Sequence, residues 1–162
     1  MLEQHLYSSS TDSLSLKTEI SSEEFVSSDK INEAMTLVNS LDLKQMDDKL
    51  VSFYGWAEEE VSLMNDYYKK WLAIHVAYPE LAIAPSVKLD EYWHMHILDT
   101  KKYMEDCQLI FGHYLHHYPY FGLEGDKENL DSGFETTRKL FQHHFNHDLL
   151  GAANPCAATG CR

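Results

Sequence analysis

Apolar residues along the chain recur every three to four positions, which is the spacing of one face of an α-helix. No stretch alternates with the two-residue period of a half-buried strand. The longest stripe lies between about residues 57 and 78 and consists of Val61, Met64, Tyr68, Trp71, Leu72 and His75. The pattern predicts an all-α fold, a compact bundle of about five to six helices.

Residues that cap or break helices place the ends of these elements. The predicted helices cover about residues 28–41, 43–53, 57–78, 86–98, 99–112 and 127–147. Ser86 and Asp99 (or Thr100) are candidate N-caps of the fourth and fifth helices, and Gly112 is a candidate C-terminal residue of the fifth. The stripe of the last helix consists of Leu130, Phe134, Thr137, Phe141 and His144.

The two ends of the chain differ in composition from its middle. Residues 1–29 are rich in serine and acidic side chains and predict a disordered arm. For residues 30–151 the sequence predicts one helical, histidine-rich, metal-binding domain. A single domain is what a chain of 162 residues usually forms. Residues 152–162 are small and turn-prone and predict a flexible tail that carries Cys156 and Cys161.

The charge of the chain restricts its partners. Lysine and arginine number 13 and acidic residues 26, so the net charge of −13 argues against nucleic acid and anionic membranes. No run of 18 apolar residues predicts a membrane span, and residues 1–10 lack the pattern of a secretory signal. Three cysteines are too few for a disulfide framework, so we expect a cytoplasmic protein. The oligomeric state stays open.

The distribution of histidine along the chain indicates a metal site. Eight of the ten histidines lie in three groups: His94 and His96; His113, His116 and His117; His143, His144 and His147. Neutral imidazole is the commonest metal ligand in proteins, and a site needs ligands that converge from different elements. One histidine on an apolar face is usually a core residue, but three groups on neighbouring segments predict a transition-metal site.

The first group cannot simply chelate one ion. At about 100° per residue, His94 and His96 lie roughly 160° apart on a regular helix. Either the helix loosens at His96, or one of the two is a ligand and the other orients a ligand or is structural. Asp90 lies one turn before His94 and is our candidate catalytic carboxylate, as a metal ligand, as an orienter of an imidazole or as a base.

The other two groups leave alternatives open. His113 and His117 have the i, i+4 spacing of one helical face, but Gly112 and Pro119 flank them, and usually only one of an adjacent pair such as His116 and His117 faces inward. In the third group, the core face of the helix carries either His143 and His147, which have the i, i+4 spacing, or His144 alone. The predicted metal ligands are His94, His96, His116 and His117, with His113 and His144 in reserve.

A distinctive motif runs from Pro85 to Gly122. Its rare residues are Asp90, Trp93, His94, His96, Tyr103, Cys107, Phe111, Gly112, His116, His117 and Pro119. This motif resembles that of the glycine-rich domain-containing protein-like family in its short bacterial form. The resemblance implies that His94, His96, His116 and His117 belong to the family's signature. The chain departs from that family at its tail, where only Gly151 and Gly160 occur.

Several histidines and a carboxylate in a helical bundle suit iron or copper and oxygen chemistry. We therefore expect a non-haem iron or copper oxidoreductase that acts on a small molecule or a peptide, which could be its own tail. Zinc-bound hydroxide, which hydrolyses substrates, is chemically allowed. The alternative is a non-enzymatic binding module with a structural zinc. The HExxH motif of zinc proteases, P-loops and dinucleotide glycine motifs are absent from the sequence.

Overall fold

A computed structural model describes residues 16–147 of the chain. After a 3-10 turn (Ser22–Glu24), these residues form six helices: α1 (Ser28–Val38), α2 (Lys44–Ser52), α3 (Glu58–Ala77), α4 (Val87–Leu98), α5 (Thr100–Phe111) and α6 (Lys127–Phe145). Extended pairing within residues 16–147 is limited to one isolated bridge between Lys17 and Leu81. The predicted all-α bundle of five to six helices is confirmed.

Local capping chemistry sets the helix ends around the middle of the chain. The Ser86 hydroxyl accepts the Leu89 N–H at the start of α4, and the Asp99 carboxylate accepts the Lys102 N–H at the start of α5. Gly112 ends α5 with a left-handed φ of 73°, a conformation that favours glycine. At the start of α1, the Ser27 hydroxyl accepts the Lys30 N–H.

Helix α3 is the centre of the bundle and packs against α1, α2, α4 and α6, while α4 also packs against α5. Tyr68, Trp71 and Leu72 of its predicted stripe are fully buried. This burial of large apolar side chains is the main source of stability in such a bundle. None of the helices within residues 16–147 is long and apolar enough to cross a membrane.

Residues 16–29, within the predicted disordered arm, lie against the bundle in the structure. The Lys17 N–H donates to the Glu80 carbonyl at 2.9 Å, and the Ala82 N–H donates to the Lys17 carbonyl at 2.8 Å. The Thr136 hydroxyl donates to the Thr18 carbonyl at 2.7 Å. These residues are therefore ordered in the structure. Their backbone N–H and carbonyl groups form hydrogen bonds with the backbone of residues 78–82 and with a side chain of α6. Residues 1–15 and the predicted tail 152–162 lie outside the described residues.

Tyr78 ties the same segment to the last helix. Its hydroxyl accepts the Val26 N–H at 2.9 Å and lies within hydrogen-bond distance of His144 Nε2, at 2.7 Å. The Phe25 ring packs on His143 with ring centroids 4.5 Å apart. Burial lowers the pKa of His144 to about 4, and the neighbouring His143 adds to this effect. His144 is therefore part of the docking contact of the N-terminal segment.

Truncation tests this docking. A chain that starts at residue 27 should unfold at a temperature about 5 °C or more below that of a chain starting at residue 16. It lacks the backbone hydrogen bonds of Lys17 and Val26 and the packing of Phe25, a loss of about 2–4 kcal/mol. Calorimetry of both chains measures the difference. Equal midpoints would show that residues 16–26 contribute no stability.

Acid should weaken the fold through His75 and His144. Burial lowers the pKa of His75 to about 3, and that of His144 is about 4, whereas both protonate near pH 6.5 in the unfolded chain. The unfolded state thus binds more protons below pH 6.5, so stability is complete above that pH and is lost as the pH falls toward 4, by at most about 1.4 kcal/mol per pH unit and group.

Urea unfolding at pH 7, 6 and 5 with chelator present measures this loss. His144→Gln keeps an acceptor for the Tyr78 hydroxyl but cannot titrate, so its free energy of unfolding should fall less steeply than that of the wild type. His113→Gln, at an exposed position, is the matched control and should retain the wild-type dependence. Parallel profiles for the wild type and His144→Gln would refute the assignment.

Candidate metal centre

Helix α4 presents two of the functional side chains. One side of this helix packs in the core through Leu89, Tyr92 and Trp93. Asp90 lies on the same side, and only 4% of its side chain is exposed. His94 follows one turn later on the same side, as the i, i+4 spacing predicts, with 25% of its side chain exposed. A buried carboxylate and a partly exposed imidazole thus lie side by side.

The third side chain comes from the segment after α5. Gly112 turns the chain out of α5, and residues 113–118 have neither helical nor strand structure. His117 returns to α4 from this segment with 10% of its side chain exposed. Its Nε2 atom lies 2.8 Å from Asp90 Oδ1 and 2.9 Å from His94 Nε2, and His94 Nε2 lies 3.3 Å from Asp90 Oδ2. Each of the three residues therefore has a ligand-type atom within 3.3 Å of a ligand-type atom of the other two.

The short distances in this group restrict the protonation of both imidazoles. The nitrogens of His94 and His117 are close enough that only one of them can carry a proton between them, and both face the carboxylate of Asp90. Burial lowers the pKa of His94, and His117 lowers it further, whereas Asp90 opposes the change. A neutral imidazole with a free electron pair is the form that binds a metal.

The spacing of the three residues suits a shared ion. Metal–ligand bonds of about 2.0–2.2 Å place neighbouring ligand atoms about 2.8–3.1 Å apart in octahedral geometry and about 3.3–3.6 Å apart in tetrahedral geometry. The separations between ligand-type atoms of the three residues, 2.8, 2.9 and 3.3 Å, fall within these ranges. Within the described part of the chain, Asp90, His94 and His117 are the group of histidine, cysteine and acidic side chains that is close enough to hold a metal.

His96, a predicted ligand, lies in a separate cluster. It is buried, its Nδ1 atom is 2.8 Å from the Tyr68 hydroxyl, and its Nε2 atom is 2.8 Å from Asp106 Oδ2. Burial alone would raise the pKa of Asp106, but hydrogen bonds from His96 and Lys102 hold it below its usual value. Helix α4 stays regular through Leu98, so of the two alternatives the helix does not loosen at His96, and His94 and His96 face opposite ways.

The remaining predicted ligands also lie away from the group. His116 is exposed beside Tyr114, with ring centroids 4.8 Å apart. His113 is exposed, with its Nδ1 atom 3.2 Å from the Tyr114 carbonyl. His144 is hydrogen-bonded to the Tyr78 hydroxyl, as described above. Of the adjacent pair, His117 is thus the one that faces inward.

Sequence reasoning missed the side chains that support these histidines. Asp106 and Tyr68 were not identified as partners of His96, nor Trp93 as the ring that packs on His117 with centroids 4.4 Å apart. One signal was available for Asp106, which lies three residues after Tyr103 on the apolar face of α5. A carboxylate on such a face needs a polar partner in the core.

Comparison with known proteins assigns the chain to a family. No curated protein and no solved structure matches the chain significantly. The family model described as UCP032817-like matches residues 34–155, about three quarters of the chain, including all three residues of the candidate metal centre. The expected membership in the glycine-rich domain-containing protein-like family is wrong, because the motif from Pro85 to Gly122 that suggested it lies inside this match. The chain belongs to the UCP032817-like family.

Proposed function

We propose that the protein binds one divalent transition metal at Asp90, His94 and His117 and is a metal-dependent oxidoreductase. The observation that carries this proposal is the convergence of two imidazole nitrogens and a buried carboxylate within 3.3 Å of one another. Three protein ligands leave coordination positions open, which is typical of catalytic sites. A structural zinc needs four protein ligands, and the described residues bring together three.

The donor set favours iron over copper. Two histidines and one carboxylate are the ligands of mononuclear non-haem Fe(II) sites that react with oxygen. When bound, Fe(II) supplies one-electron chemistry at its open positions. The cytoplasmic location expected from the low cysteine count suits a site for the reduced metal, since that compartment is reducing. Zinc in the same three ligands would instead support hydrolysis, and metal analysis separates the two.

The protein's own residues define how a substrate reaches the site. Asp90 is buried and would neutralise part of the charge of a bound ion, and Trp93 packs against the His117 ring. The His94 side chain is one-quarter exposed, so its side of the group faces solvent. A small molecule or a peptide would approach from this side, and Asp90, as a ligand, would not act as the catalytic base.

Single substitutions test the ligand set. His94→Ala and His117→Ala should each weaken Fe(II) or Co(II) binding by more than about 100-fold, because even residues that only support metal ligands contribute about 10–100-fold. His116→Ala, the matched control beside His117, should bind one ion per chain like the wild type. Anaerobic titration and elemental analysis of untagged protein measure both. Full metal content in His117→Ala would contradict the assignment.

Reaction with small gases tests the open positions. Nitric oxide binds Fe(II) only at a coordination position that is vacant or held by water. The Fe(II)-loaded wild type should form one nitric oxide adduct per chain, detected by electron paramagnetic resonance, and should consume oxygen faster than His117→Ala. Iron that binds at full stoichiometry but forms no adduct would indicate a saturated, structural site and would contradict the oxidoreductase proposal.

A further inference from the structure

We propose that Tyr103 is a positioning residue of the metal centre, and that its hydroxyl holds the segment carrying His117 in the metal-binding position. The inference rests on the proposed metal centre at Asp90, His94 and His117. It explains how a segment without secondary structure can supply a ligand to a well-defined site.

The Tyr103 hydroxyl lies between two groups that flank the site. Tyr103 is 1% exposed, and its hydroxyl donates to the Leu115 carbonyl at 2.6 Å and accepts the Trp93 indole N–H at 2.9 Å. Its single proton and one of its electron pairs are therefore both used. One phenol oxygen thereby links α5, α4 and the segment after α5.

Both partners of the hydroxyl lead directly to His117. Leu115 precedes His117 by two residues, so fixing its carbonyl fixes the course of the backbone into His117. The Trp93 ring packs on the His117 ring at a centroid distance of 4.4 Å, and its indole orientation is set by the hydrogen bond to Tyr103. The backbone and the ring of His117 are thus positioned through the same oxygen.

Cys107 supports this arrangement from the next turn of α5. Its side chain is buried, and burial raises the pKa of the thiol. The thiol is therefore neutral and helps to keep water away from the Tyr103 hydroxyl. The i, i+4 spacing of Tyr103 and Cys107 places both on the side of α5 that faces the segment.

A cobalt titration of matched tyrosine variants tests the inference. Tyr103→Phe removes the hydroxyl and keeps the ring, and it should weaken Co(II) binding by about 10–100-fold. Tyr92→Phe is the control, since Tyr92 is also buried but its hydroxyl donates to Asp47, and it should change the affinity by less than about twofold. The visible spectrum of Co(II)-saturated Tyr103→Phe should also differ from that of the wild type, because a displaced His117 changes the ligand geometry of the ion. Lower stability of the fold alone would leave this spectrum unchanged.

Each outcome separates this inference from the proposed function. Equal affinity and equal spectra for Tyr103→Phe and the wild type would overturn the positioning role while leaving the metal centre intact. A wild type that binds no Co(II), Fe(II) or Zn(II) would overturn both. If circular dichroism shows that Tyr103→Phe is unfolded, Trp93→Phe takes its place, because it removes the indole N–H that donates to the Tyr103 hydroxyl. It should weaken Co(II) binding several-fold, and unchanged affinity would overturn the inference.

Discussion

Two imidazole nitrogens lie 2.9 Å apart in the candidate metal centre, with a buried carboxylate within 3.3 Å of both. These distances allow hydrogen bonds within the group, because one imidazole N–H can donate to the carboxylate or to the other imidazole nitrogen. A bound metal would replace that proton and accept an electron pair from each of the three residues.

The rest of the fold can be understood as the support of this contact. Helix α4 carries Asp90 and His94 one turn apart, and its opposite side is fixed by the hydrogen bonds of His96 with Tyr68 of α3 and Asp106 of α5. Tyr103 of α5 then orients the segment that carries the third residue, His117. The candidate metal centre thus lies on α4 and on the segment after α5, and contacts from α3 and α5 hold both of these elements in place.

Features that depend on local chemistry could be predicted from the sequence. Ser86, Asp99 and Gly112 act within their own turns of helix, and the pairing of Asp90 with His94 follows from helical geometry alone. The choice between His116 and His117 could not be predicted, because it depends on a hydrogen bond from Tyr103 to a backbone carbonyl. The contacts of residues 16–29 with the bundle could not be predicted either, because the groups that bind them lie more than 50 residues away along the chain.

The most direct test of a metal centre at Asp90, His94 and His117 is anomalous diffraction from a crystal of the untagged protein loaded with Co(II) or Fe(II). The account predicts one anomalous peak per chain, at about 2.0–2.2 Å from a carboxylate oxygen of Asp90 and from the Nε2 atoms of His94 and His117. Peaks confined to the exposed histidines, or no peak near Asp90 in protein shown to bind metal in solution, would contradict it.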